Sequence, residues 1–276
     1  MNSVTREMDL TGKTALVTGG AGGLGEVIGS TLAELGCNII LVDINNQKLS
    51  HTKLRIEEKF KCNVEIAVCD LESEEQRSDL ISVFGSKGKN LDILINNAAF
   101  VGASDLPGWS VPFEEQSIST FRRAIEVNLV SAFHLSRDIS KHMLDSGSGT
   151  IINIASIYGQ YAPDWKIYDG TGMANPAAYA ASKAGLIQLT RWMATTLAPG
   201  IRVNAISPGG VINNQPSSFV KAYEERTPLG RMADYQDFVG AVTFLSTSMS
   251  KYVTGQVLNV DGGWESGSHQ LNQNLL

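Results

Sequence analysis

Cysteine is scarce in this chain of 276 residues: Cys37, Cys62 and Cys69 are its three. An odd number without metal-type spacing argues against a disulfide framework and against a zinc site. No metal is therefore expected, and sparse thiols fit a reducing cytoplasm. Histidine is equally thin, with His51, His134, His142 and His269 scattered as surface or packing residues. No block of lysine and arginine occurs, and a net charge of -6 with a pI near 5.3 excludes the basic stripe that a phosphate backbone demands. No nucleic-acid partner is expected. No apolar run approaches the ~20 residues that span a bilayer, and residues 1–13 mix charged and polar groups where a signal core would sit. The expectation is a soluble, cytoplasmic protein with no membrane partner. Repeats, low-complexity tracts and linkers are lacking too, so residues 1–276 read as one domain, with a core over about 8–264 and a polar tail over 265–276.

The chain does contain an ordinary globular share of apolar and charged residues, 43% and 18%. Short apolar runs cover residues 14–18, 38–42, 64–68, 91–95, 150–154, 202–206 and 257–260. Longer segments with helical spacing lie between them, as at 121–144 and 179–197. Continuous apolar strands alternating with helices predict a doubly wound α/β fold, a seven-stranded parallel sheet with helices on both faces.

Thr18-Gly19-Gly20-Ala21-Gly22-Gly23-Leu24-Gly25 stands where the first strand hands over to the first helix. Glycines let the backbone turn tightly and approach a pyrophosphate at the helix start. Asp43 closes the second strand, near the ~20-residue offset of an acid that bonds a ribose 2'-OH and repels a 2'-phosphate. Gly20 and Ile44 occupy positions where a basic residue would serve NADP, so NAD is the expected cofactor. Asp70, ending the third strand, either meets the adenine or caps the helix near Leu71. Asn96-Asn97-Ala98-Ala99 ends the fourth strand, where side-chain amides bind backbone and cofactor together.

Tyr179 and Lys183 are four apart, so one helix face holds a phenol beside an ammonium. Unperturbed tyrosine titrates near ~10, and a fixed cation would stabilise its anion. With the glycine turn, Asn96-Asn-Ala, Pro208-Gly209 and Asp261-Gly262-Gly263 in this order, the chain resembles the short, single-domain subgroup of the short-chain dehydrogenase/reductases over roughly residues 8–264. The resemblance implies a Rossmann fold, a nicotinamide cofactor and hydride transfer between an alcohol and a carbonyl. It implies that Tyr179 is the acid/base, that Lys183 binds the nicotinamide ribose and favours the phenolate, that Ser156 orients the substrate oxygen and that Asn128 holds a relay water. It places Gly19, Gly23, Leu24, Gly25, Asp43, Ile44, Asp70, Leu71, Asn97, Ala98, Tyr179, Lys183, Pro208, Gly209 and Val211 around the dinucleotide. Asn213 stands where the family often has a phosphate-binding threonine. A homotetramer built on helices near Tyr179 and on the last strand is also implied.

Ser156 and Tyr179 are 23 positions apart, about ten more than the family usually has. The insert, residues 162–173, must hang over the active-site mouth, as must the loop 100–113 with Asp105 and Trp109. Residues 214–226 are expected to form a mobile substrate lid. Aromatic faces flanked by carboxylates suit a polyhydroxylated small-molecule substrate, with Trp109, Tyr158, Trp165 and Tyr168 as candidate contacts. Trp165 and Tyr168 would alternatively pack the insert onto the protein or a neighbouring subunit. The run from Ser156-Ile157-Tyr158-Gly159 to Tyr168-x-Gly170-Thr171 is similar to bacterial oxidoreductases of surface-sugar and flagellin-glycan biosynthesis, the flagellin modification protein PtmA group. An NAD-dependent dehydrogenase acting on a sugar or amino-sugar derivative is the leading expectation. Reduction of a 3-oxoacyl thioester and a non-catalytic dinucleotide-sensing regulator are the alternatives.

Overall fold

Apolar β-branched runs make the strands, and their two-residue period sorts side chains onto opposite faces. In a computed structural model that describes residues 3–86, 90–101, 104–145 and 147–267, these runs become β1 (Thr14–Thr18), β2 (Asn38–Asp43), β3 (Val64–Val68), β4 (Ile93–Asn96), β5 (Gly149–Ile154), β6 (Ile201–Pro208) and β7 (Val257–Val260). All neighbours are parallel, in the order β3-β2-β1-β4-β5-β6-β7. The order reverses between β1 and β4. Such a switch point opens a crevice at the carboxyl ends of the strands.

The helices are α1 (Ser3–Met8), α2 (Gly23–Glu34), α3 (Asn46–Lys59), α4 (Glu74–Ser86), α5 (Ile118–Ile125), α6 (Ser131–Asp145), α7 (Ala177–Thr196), α8 (Ser217–Arg226) and α9 (Val239–Ser246). Ile39 and Leu41 of β2 pack with Ile28 and Leu32 of α2, Leu49 and Ile56 of α3 and Val242 of α9. Ile40 and Val42, one step out of phase, pack on the other face with Leu80 of α4, Leu135 and Ile139 of α6 and Met193 of α7. Each such side chain contributes roughly 1.5–3 kcal/mol by leaving water. Both sheet faces are thereby covered, as the continuous apolar runs require. The edge strand β7 is only half-buried along its length.

Two boundaries differ from the sequence expectation for physical reasons. The helical pattern over 121–144 is broken into α5, a π turn at Glu126–Val130, and α6. Local spacing does not specify that turn; long-range bonds from Asn128, described below, accompany it. The lid segment contains an ordered helix, α8, seated by Phe219 and Tyr223 in an apolar cluster with Ile157, Ile167 and Trp264. The tail expected over 265–276 lies, beyond Gly267, outside the described residues. No helix among the described residues is long and apolar enough to cross a membrane.

Candidate active site

A cleft of about 510 Å³ opens at the carboxyl ends of β1, β4, β5 and β6. At one end it is bordered by Gly19, Gly23, Leu24, Gly25, Asp43, Asn97 and Ala98. Gly19 has φ 64, in the left-handed region that favours glycine. A Cβ on Gly25 would lie 2.0 Å from the Gly19 carbonyl oxygen, so any side chain would force the turn apart. Thr18 Oγ1 accepts from the backbone N–H groups of Asn97 at 3.0 Å and Ala98 at 3.1 Å, while Asn97 Nδ2 donates to the carbonyls of Thr18 and Gly19. The glycine turn and the end of β4 are thus tied together. Asp43 Oδ2 accepts from Ala21 N–H at 3.2 Å and Oδ1 from Asn45 N–H at 3.1 Å, which fixes its carboxylate at the cleft edge. These features fit a dinucleotide: backbone approach is close at the turn, and an aimed anion stands where ribose hydroxyls would bond.

Three of the expected cofactor contacts are not among the residues that line the cleft. Ile44 is exposed, Leu71 is buried in the core on the α4 side, and none of Ile44, Asp70 and Leu71 lines the cleft. Asp70 Oδ1 accepts from Glu72 N–H at 2.9 Å, the local turn that competes with a ligand role.

The opposite end is bordered by Ser156 just past β5, Tyr179 and Lys183 on α7, Pro208 at the end of β6, and Gly209, Val211 and Asn213 beyond it. Lys183 is buried, and its Nζ donates to the Ile154 carbonyl at 2.6 Å. Burial pushes its ammonium down to about 7. Burial also pushes the Tyr179 phenol up, against the opposing effect of a hydrogen bond from Ser156. Lys183 Nζ stands 5.8 Å from the centroid of the Tyr179 ring. Desolvation is the leading cause of the shift at both groups in this buried wall. Asn128, buried in the π turn, accepts from Phe100 N–H at 2.7 Å and donates through Nδ2 to the Phe100 carbonyl and to Ser182 Oγ. It locks the loop after β4 to α7 without itself lining the cleft.

The substrate end corrects part of the sequence expectation. Tyr158 and Tyr168 do line the cleft, with hydroxyls 2.7 Å apart, and burial pushes both phenols up. Trp109 does not: it is buried with Ala124, Ala178 and Phe121, and its indole N–H donates to the Val101 carbonyl at 2.9 Å. Trp165 is more than half exposed and borders an outer groove with Phe113 and Pro163. The expected flanking carboxylates are diverted as well. Asp164 pairs with Arg226 at 3.5 Å and caps the turn at Lys166, and among the described lining residues Asp43 is the sole carboxylate. The wall is filled instead by Met173 of the insert, Phe219 and Tyr223 of the lid segment, and Asn175 and Met232, which sequence reasoning missed, while Tyr235, also missed, stands beside Gly23 at the dinucleotide end. Phe219 and Tyr223, four apart on α8, carry a further signal, an aromatic pair on one helix face.

The family model described as Enoyl-(Acyl carrier protein) reductase matches residues 19–265. The 3-oxoacyl-[acyl-carrier-protein] reductase FabG of Rickettsia prowazekii (strain Madrid E) is 36% identical over 261 residues, covering 93% of this chain and 98% of that protein. The chain belongs to the short-chain dehydrogenase/reductase superfamily. Post-translational flagellin modification protein A of Campylobacter coli is another relative of this short-chain dehydrogenase/reductase, 31% identical over 92% of this chain and 99% of its own. Among solved structures, a short-chain dehydrogenase of Leptospira borgpetersenii with bound NAD+ shares 34% identity and a TM-score of 0.83, covering 96% of each chain. A gluconate 5-dehydrogenase of Burkholderia cenocepacia J2315, in complex with NADP and tartrate, shares 29% identity and a TM-score of 0.84, covering 95% of this chain and 99% of that one. As a short-chain dehydrogenase/reductase, the protein is an oxidoreductase of CH–OH and C=O groups whose Rossmann cleft takes a nicotinamide dinucleotide.

Proposed function

We propose that the protein is an NAD(H)-dependent dehydrogenase or carbonyl reductase acting on a hydroxylated sugar or amino-sugar derivative of surface-glycan biosynthesis. The observation that carries the reaction is the convergence of Ser156, Tyr179 and Lys183 on one cleft whose other end is built for a dinucleotide. Asp43 carries the preference for NAD: its fixed carboxylate would bond ribose hydroxyls and repel a 2'-phosphate. When bound, the nicotinamide supplies or removes the hydride. Gly19, Gly23 and Gly25 would seat its pyrophosphate, and Lys183 its nicotinamide ribose.

In the oxidative direction, Tyr179 Oη takes the proton of the substrate hydroxyl, and in reduction it returns that proton to the carbonyl oxygen. Ser156 Oγ hydrogen-bonds the same oxygen as its charge changes. Lys183 favours the anionic phenol when protonated, and Asn128 holds the loop from Phe100 against α7, so the donor set stays oriented.

Hydroxyls and an amide on the substrate wall, with tyrosine faces beside them, support a polyhydroxylated substrate; the likeness to the flagellin modification protein and to the gluconate 5-dehydrogenase supports it from outside. The Rickettsia relative favours a second reading, reduction of a 3-oxoacyl thioester. Assaying sugar phosphates, amino-sugar derivatives and a 3-oxoacyl thioester with both cofactors decides between them. Turnover of a sugar with NAD(H) is expected; activity confined to the thioester would overturn the sugar reading. We propose in addition a homotetramer that uses the exposed Trp192 face of α7 and the half-buried edge strand β7, checked by light scattering on the eluted protein.

A further inference from the structure

Asn175, immediately before the proline that precedes α7, is more than nine-tenths buried. Its Oδ1 accepts no hydrogen bond from any described residue, although buried acceptors are nearly always paired. The side chain lies on the wall of the catalytic cleft, and its amide sits against the Tyr168 hydroxyl. Tyr168 and Tyr158 share one hydrogen bond of 2.7 Å between their hydroxyls, so one of the two phenolic protons is left for another acceptor. Tyr158 in turn adjoins the serine of the site, since its backbone N–H donates to Ser156 Oγ at 3.2 Å. The wall next to the reacting position thus holds an unpaired acceptor, its oxygen covered from solvent, beside a hydroxyl pair with one proton left to give.

We propose that Asn175 Oδ1 and the Tyr158–Tyr168 hydroxyl pair form a specificity subsite for a second hydroxyl of the substrate, one or two carbons from the carbon that is oxidised. A hydroxyl is the group that satisfies both partners: it donates to Asn175 Oδ1 and accepts from the tyrosine pair. A substrate bearing only the reacting hydroxyl leaves Oδ1 buried and unpaired, which is how polar sites reject analogues that lack one group. This deepens the sugar reading and rests on it for the biological substrate, but the subsite is defined by its own residues.

The test uses the dead-end complex with NADH, in which an alcohol binds but is not oxidised. Dissociation constants of cyclohexanol and of the 1,2- and 1,3-cyclohexanediols are measured by saturation-transfer NMR. The wild type binds at least one diol about tenfold more tightly than cyclohexanol, the scale set by one buried hydrogen bond. Asn175→Leu brings the ratio to within about twofold, and Asn175→Asp, which keeps an acceptor oxygen, retains it. If Asn175→Leu does not fold, Tyr168→Phe carries the same reading through the other half of the subsite. A wild type that does not distinguish the alcohols, or a ratio that survives in the folded variant, overturns the subsite. Diol preference in an enzyme that oxidises no sugar leaves the subsite standing and removes the sugar reading; sugar turnover without diol preference does the reverse.

Discussion

Lys183 is a cation held where a cation is disfavoured. Burial brings its ammonium from an ordinary 10.5 to about 7, so between those pH values the unfolded chain binds the extra proton and stability rises with pH. The burial penalty is complete below pH about 7 and is relieved as pH climbs toward 10.5. Lys183→Met is therefore expected to unfold less readily than wild type at pH 7, by on the order of 2 kcal/mol, with the gain shrinking toward pH 10 while turnover is lost. Urea titrations at pH 7 and 9.5 check it; a variant less stable than wild type at pH 7 contradicts the assignment. Asp43 poses the same question of charge from outside the core. Asp43→Ser is expected to raise kcat/KM with NADPH relative to NADH by about tenfold or more, since a full charge opposing the 2'-phosphate is removed. An unchanged ratio in steady-state kinetics would remove Asp43 from cofactor choice.

At the level of elements, the insert and the lid are packed as one unit. The turn at Trp165–Tyr168 meets α8 through Tyr168 and Phe219, whose ring centroids are 5.4 Å apart, and through Asp164 with Arg226. Tyr223 continues the stack onto Trp264 at 4.2 Å, and its hydroxyl accepts from Gly210 N–H at 2.5 Å. Phe219→Ala should cost about 3 kcal/mol locally, loosen α8 and the insert together, and raise KM several-fold with a smaller effect on NADH affinity. Limited proteolysis is expected to cut within residues 212–226 of that variant first; cleavage confined to other loops would mean that the lid is held by something else. The sequence reveals this unit poorly. Length and apolar content mark α7 and the strands, whereas α8 is short and polar on average, and its anchor, Trp264, lies 38 positions beyond Arg226. The π turn was invisible for the same reason: Asn128 meets partners 28 and 54 positions away.

Over the whole molecule, legibility follows the range of the forces. The seven runs of apolar residues specify a parallel sheet because both faces must be covered, and the glycine turn is legible because a Cβ cannot fit at Gly25. Ser156, Tyr179 and Lys183 were legible through motif spacing, and they meet because β5 and α7 are neighbours around one crevice. The substrate wall was the least legible part. Trp109 and Trp165 had the right chemistry but the wrong burial, one sealed in the core and one turned outward, while Asn175 carried no motif at all. The proposed chemistry runs through one proton path, by way of Tyr179. The most direct test is Tyr179→Phe, assayed for turnover and for NADH affinity on one preparation. The expected result is a fall in kcat of at least about 10³-fold, in the range of a lost acid/base, with NADH affinity within a few-fold of wild type. A variant that turns over at a comparable rate would contradict it.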